Sequence, residues 1–214
     1  MIRLSEHNIN SLTELLDSPA STFFGHVLNV KIFAHDPVER PNAIGILDTI
    51  SRHLPRLKIK SLHLSGVKWD IMDADIEGIF RCLAIISALK MTDVMFSVPN
   101  QFIKFITSFA SLERLSLRKI TLQEVDIAHI TPFTLSPLLR FVEMTLNSHL
   151  PWFLSAARFP PLNYLKLALI TPEYLDAIQA LLQSSGPSLR DLNLAFVDIG
   201  AFILGCWHSS SPLL

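Results

Sequence analysis

Cysteine is nearly absent: Cys82 and Cys206 are the only two in 214 residues. They lie far apart, outside any CxxC or Cys/His spacing, which argues against both a disulfide framework and a zinc site. A reducing, intracellular compartment, cytoplasmic or nuclear, is the expectation. Charge is also scarce. Only 17% of residues are charged and the formal net charge is -1, so no basic excess draws the chain to nucleic acid or anionic lipid. Neither nucleic acid nor membrane is an expected partner. The longest apolar runs, residues 82–86 and 201–204, fall far short of the roughly 20 residues that a membrane-spanning helix needs. Residues 1–8 carry charged and polar groups where a secretory signal would carry its apolar stretch. No GxSxG, GxxxxGK[ST], GxGxxG or HExxH occurs, and the eight histidines are scattered without a partner at ligand spacing. The expectation is therefore a protein that is not an enzyme, with no catalytic residues, no cofactor and no metal.

What the chain has is apolar surface and a repeat. Half of its residues are apolar, which excludes the disordered class and calls for a continuous core. Its length suits one globular domain or one repeat array. A pattern of apolar, two residues, apolar, one residue, apolar recurs seven times. The copies are Val27-Val30-Ile32, Ile59-Leu62-Leu64, Ile86-Leu89-Met91, Leu112-Leu115-Leu117, Leu139-Val142-Met144, Leu162-Leu165-Leu167 and Leu189-Leu192-Leu194. Their middle residues are separated by 32, 27, 26, 27, 23 and 27 residues, clustering in the range of leucine-rich repeats, about 20 to 29. Each copy reads as a short strand whose alternate side chains enter a core.

Between the strands, apolar residues return every three or four positions. Ala43-Ile44-Ile46-Leu47-Ile50-Leu54, Ile76-Ile79-Phe80-Leu83, Phe102-Phe105-Ile106-Phe109 and Tyr174-Leu175-Ile178-Leu181-Leu182 predict helices. Thr171-Pro172-Glu173 opens the last with a capping hydroxyl and a proline in the first turn, and Gly186-Pro187 closes it. Pro132 and Pro137 interrupt residues 121–137, and residues 150–159 leave room for only a short helix. Irregular turns are expected there. One strand and one helix cannot bury both apolar faces alone, so neighbouring repeats must stack their leucines into one core, each buried side chain contributing roughly 1.5–3 kcal/mol. The predicted fold is α/β: a leucine-rich-repeat solenoid of the ribonuclease-inhibitor type, about seven strand–helix units with a parallel sheet on the concave face. Residues 1–23 form a helical or irregular lead-in, 24–200 the solenoid, and 201–214 a tail without the polar cap expected at a solenoid's end.

Three stretches carry a family likeness. Leu54-Pro55-Arg56-Leu57 leading to Ser61-Leu62-His63-Leu64-Ser65-Gly66-Val67, then Ser111-Leu112-Glu113-Arg114-Leu115-Ser116-Leu117, then Gly186-Pro187-Ser188-Leu189-Arg190-Asp191-Leu192-Asn193-Leu194 resemble the repeat half of F-box/leucine-rich-repeat proteins, especially the large sets in mushroom-forming fungi. The resemblance covers residues 24–200. It implies the substrate-recognition region of a ubiquitin-ligase receptor, in which an F-box holds the ligase adaptor and the repeats hold the protein to be modified. Residues 1–25 do not supply an F-box, so adaptor binding is expected only with one upstream; the alternative is a free-standing repeat scaffold without ligase function. At the third position after each strand's last leucine, where many such repeats place Asn or Cys, this chain has Val67, Val94, Ile120, Ile170 and Val197, with Asn147 the exception.

Strand alternation then selects the binding residues. Those between the second and third apolar positions face the concavity: Lys31, His63, Lys90, Ser116, Glu143, Lys166 and Asn193. Beside them run Asn29, Ser61, Ala88, Arg114, Phe141, Tyr164 and Asp191, and Arg118 lies one step further along its strand. The protein-binding candidates are His63, Lys90, Arg114, Ser116, Arg118, Phe141, Glu143, Tyr164, Lys166 and Asn193. Arg114, Arg118, Phe141, Tyr164 and Lys166 combine cations with aromatics, the mixture enriched at interface hot spots, and suggest an acidic or phosphorylated protein ligand. Trp69 and Trp152 are expected in the core, and residues 35–41 form a proline-bounded connector.

Overall fold

A strand forms at each of the seven triplets in the computed structural model of the protein, which describes residues 1–5, 7–18, 28–34, 40–50, 53, 56–69, 79, 83–123, 130–147 and 150–197. In chain order the strands are β1 (Ile2–Leu4), β2 (Asn29–Phe33), β3 (Ser61–Ser65), β4 (Lys68–Trp69), β5 (Ala88–Phe96), β6 (Arg114–Leu122), β7 (Phe133–Thr134), β8 (Phe141–Thr145), β9 (Ala157–Arg158), β10 (Tyr164–Ile170) and β11 (Asp191–Phe196). The helices are α1 (Ile9–Asp17), α2 (Ala43–Ile50), α3 (Pro99–Thr107), α4 (Pro151–Ala156) and α5 (Leu175–Ser185). The main sheet is open and runs β1-β2-β3-β5-β6-β8-β10-β11, with β4 lying against the far end of β5. Every pairing in it is parallel. The fold is thus α/β with a parallel sheet.

Its register follows the apolar rows. Val30, Leu62, Leu89, Leu115, Val142, Leu165 and Leu192 stand side by side, as do Ile32, Leu64, Met91, Leu117, Met144, Leu167 and Leu194. All but Leu192 and Leu194, on the last strand, are buried. A slip of one residue would expose both rows at once, so burial fixes the pairing. The helices close the other side of this core. In α3, Pro99 occupies the first turn, where its missing N–H costs nothing, and Phe102, Phe105 and Ile106 fall on one buried face. They meet Trp69, Phe96, Phe109 and Phe153: the Trp69–Phe105 ring centroids are 4.0 Å apart, and Phe105–Phe109 and Phe102–Phe153 pack edge-on at 5.0 and 5.3 Å. Trp69 and Trp152 both belong to the core.

Several expectations need correcting. The lead-in is not only helical or irregular, because Ile2–Leu4 extends the sheet beyond β2. Three residues are too few to show an apolar period, which is why the sequence concealed this strand. Within residues 121–137, where irregular turns were expected, Phe133–Thr134 pairs in parallel with Ala157–Arg158 as a second, two-stranded sheet. Thr171 makes no capping bond; Pro172–Tyr174 forms a 3-10 turn leading into α5. Val27, Leu54, Ile76, Phe80, residues 35–39 and the tail lie outside the described residues.

The apolar third position has a backbone cause. Simple alternation would put that residue on the open face, yet Val67, Val94, Ile120 and Ile170 are all buried. The residue before each, Gly66, Asp93, Lys119 and Leu169, has a left-handed φ of 67, 57, 52 and 61°. Pairing skips there, from Thr92↔Arg118 to Val94↔Ile120 and from Ala168 to Ile170. One left-handed residue reverses the alternation and turns the next side chain inward. Gly66 alone adopts this without strain. The β8 unit lacks the bulge: Leu146 points inward on normal alternation and is buried. Asn147 follows it and donates through Nδ2 to the Ile120 carbonyl at 2.7 Å. A left-handed conformation costs a residue with a Cβ roughly 1–2 kcal/mol, and Leu169 is 52% exposed, so it recovers little by burial. Leu169→Gly is therefore expected to raise stability by about 0.5–1 kcal/mol after glycine's added chain entropy. A lower urea midpoint would refute the bulge.

Candidate protein-binding face

The side of the sheet opposite the helices carries three rows of side chains set by the same register. Arg3, Lys31, His63, Lys90, Ser116, Glu143, Lys166 and Asn193 form the central row. Asn29, Ser61, Ala88, Arg114, Phe141, Tyr164 and Asp191 form the second, and Phe33, Ser65, Thr92, Arg118, Thr145, Ala168 and Ala195 the third. All are half-buried or exposed. The ten candidate residues chosen from strand alternation all stand on this one face. Arg3 was missed because β1 carries no periodic signal.

Within the face the candidates separate into two groups. Lys90, Arg114, Ser116, Phe141, Glu143 and Tyr164, with Ser61, Ala88, Leu89, Leu115 and Val142, line a hollow of about 360 Å³ in the middle of the sheet. Arg114 spreads its guanidinium over the Phe141 ring, 4.7 Å from the centroid, and Phe141 and Tyr164 stand 6.1 Å apart with their planes tilted by 34°. A cation over an aromatic face is worth about 0.5–1 kcal/mol when exposed and more when a ligand excludes water. Three consecutive strands thus present one preformed aromatic and cationic wall. Arg118 and Lys166 attach to this wall through Glu143. Arg118 Nη2 donates to Glu143 Oε1 at 2.6 Å, Lys166 Nζ lies 3.2 Å from the same oxygen, and the Ser116 hydroxyl reaches Oε2 at 3.5 Å. His63 and Asn193 do not line the hollow.

Two groups have displaced titrations. The Arg118 hydrogen bond holds the Glu143 carboxyl below its usual range despite partial burial, with Lys166 adding to the effect. Burial, then Lys31 and Lys90 on the adjoining strands, push His63 down to about 4. His63 Nε2 is enclosed and has no hydrogen-bond partner among the described residues. Between pH 6.5 and about 4 the unfolded chain therefore holds a proton on this histidine that the folded chain refuses, so stability falls as pH is lowered through that window. Glu143, with its value depressed, contributes stability above the ordinary carboxylate range and loses it as pH falls below. His63→Gln is expected to flatten the urea midpoint between pH 6.5 and 4 while leaving the more acidic loss in place. Parallel profiles for the two proteins would show that His63 is not held neutral.

Among the described residues, no helix is long and apolar enough to cross a membrane, and no three His, Cys, Asp or Glu side chains form a group that could hold a metal ion. Comparison with protein-family models, with curated proteins and with solved structures returns no match.

Proposed function

We propose that the protein is a leucine-rich-repeat solenoid whose open sheet face binds an extended, acidic segment of another protein. The carrying observation is the segregation of charge. The three outward rows hold six cations (Arg3, Lys31, Lys90, Arg114, Arg118 and Lys166) against two carboxylates, Glu143 and Asp191, in a chain of formal net charge -1. Glu143 is already engaged by two of those cations. What remains for a ligand is positive, with Phe141 and Tyr164 supplying rigid apolar area at its centre. Cationic and aromatic side chains converging on one hollow are the anchors that dominate binding energy at protein interfaces.

The titrations favour recognition over catalysis. A carboxylate held ionised by Arg118 and a histidine held neutral by its surroundings are both weak bases at neutral pH. Neither is poised to activate Ser116 or a water. On the sequence resemblance, the finer assignment is the substrate-recognition region of an F-box-type ubiquitin-ligase receptor. A longer product carrying an F-box would then bind the ligase adaptor; if no longer form does, the free-standing scaffold is the correct reading.

The binding claim is tested by selection from a displayed library of random peptides on the purified chain. Acidic sequences containing an apolar or aromatic residue are expected to enrich, and to be lost from a Phe141→Ala, Arg114→Ala double variant. Enrichment of basic sequences, or none, would overturn the assignment, and tighter binding of single-stranded RNA than of any peptide would replace it with a nucleic-acid face.

A further inference from the structure

The central row has a second cationic region, which borders the hollow at Lys90 and extends away from it over Lys31 and Arg3. On β1, β2, β3 and β5, four successive strands, it reads Arg3, Lys31, His63, Lys90. Neighbouring strands lie about 4.8 Å apart, so Lys31 and Lys90 flank His63 at a separation their flexible side chains can close on one anion. The flanking positions of these strands are Asn29, Ser61 and Ala88 on one side and Phe33, Ser65 and Thr92 on the other. No carboxylate stands in either row there. This contrasts with Arg118 and Lys166, which share Glu143.

We propose that this row is a phosphate subsite, in which a phosphorylated side chain of the bound segment docks between Lys31 and Lys90, over His63. The inference rests on the preceding reading of the open face and adds the chemistry of one position on the ligand. A phosphate group suits the row better than a carboxylate does. It brings a charge of about -1.5 to -2 and three acceptor oxygens, enough to engage two ammonium groups together, and Arg3 lies on the next strand to receive the remaining oxygen. Ser61 and Ser65 stand in the rows on either side of it.

His63 reports on the charge above it. After burial, the charges of Lys31 and Lys90 are the causes that keep its imidazole neutral, so both ammonium groups act on this position. Its enclosed Nε2 has no partner among the described residues. A neutral imidazole can face a dianion without titrating, provided that the lysines neutralise the anion. An anion between them would relieve the repulsion and ease the protonation of His63.

The test is a titration of the purified chain with inorganic phosphate against chloride at equal ionic strength and neutral pH, following the His63 ring and the Lys31 and Lys90 side chains by NMR. Saturable shifts in the millimolar range are expected at all three residues, absent in a Lys31→Ala, Lys90→Ala variant and retained in Phe141→Ala. The double variant should keep the parent's circular dichroism, and its His63 should titrate at a higher pH because the two ammonium groups are gone. Shifts that do not saturate, or that survive removal of both lysines, would overturn the subsite. A peptide from the library selection that binds no tighter once phosphorylated would overturn the link to a protein ligand. Failure of that selection itself sinks the face as a peptide site, whereas phosphate binding stands or falls on the NMR shifts alone, so the two readings fail independently.

Discussion

Phe105→Ala is expected to lower the unfolding free energy by about 3–5 kcal/mol, the range for removing a large aromatic side chain from a packed interior. Phe105 is fully buried on α3, its ring 4.0 Å from Trp69, 5.0 Å from Phe109 and 6.0 Å from Phe96. These partners come from β4, from the segment after α3 and from the end of β5. The ring therefore joins two consecutive repeat units. In a stack whose neighbouring units share one core, the loss acts directly on coupling between units. Total stabilities of about 5–15 kcal/mol make such a loss a large share. Guanidinium unfolding followed by tryptophan fluorescence reads it, since Trp69 lies against the deleted ring. Phe133→Ala, at a partly buried side chain, should cost less. A Phe105→Ala loss below about 1 kcal/mol would mean that the aromatic cluster does not hold the units together.

What could be read from the sequence, and what could not, divides along the length of the signal. The strand rows were legible because an apolar triplet repeated at nearly constant spacing fixes both element and register: Lys31, His63, Lys90, Ser116, Glu143, Lys166 and Asn193 were aligned from spacing alone and stand in one row. β1 was illegible because three residues carry less than two periods of any pattern. The bulge was half legible. Val67, Val94, Ile120 and Ile170 stood out as apolar where Asn is usual, but the left-handed residue that turns them inward is Gly only at position 66. Asp, Lys and Leu in its place gave no cue, because surrounding packing imposes the conformation against local preference. The cross-strand contacts of the candidate site, such as Arg118 with Glu143, depend on which way long side chains turn on the face, which register alone does not encode.

Arg114→Glu is expected to weaken the binding of acidic peptides by at least about thirtyfold, roughly 2 kcal/mol, with stability changed by less than about 0.5 kcal/mol. Arg114 is exposed at the wall of the central hollow, and its guanidinium covers the Phe141 ring. Charge reversal therefore removes an attraction, installs a repulsion and leaves the aromatic face uncovered, three changes that act in one direction. An acidic ligand seated in the hollow would exclude water and strengthen the electrostatic part beyond its value on an open surface. Most of the loss should appear in the dissociation rate, and the salt dependence of association should lessen. Glu143→Gln supplies the opposite sign. It releases Arg118 and Lys166 from their shared carboxylate and should tighten the same peptides. Arg158, exposed on β9 and outside the three rows, is the control, and its reversal should leave affinity unchanged. Should Arg114→Glu and Arg158→Glu weaken binding equally, only net charge would matter, and the sheet face would lose its claim to be the site. Weaker binding by Glu143→Gln would assign that carboxylate to contact with the ligand and reverse the sign of the partner's charge at that point.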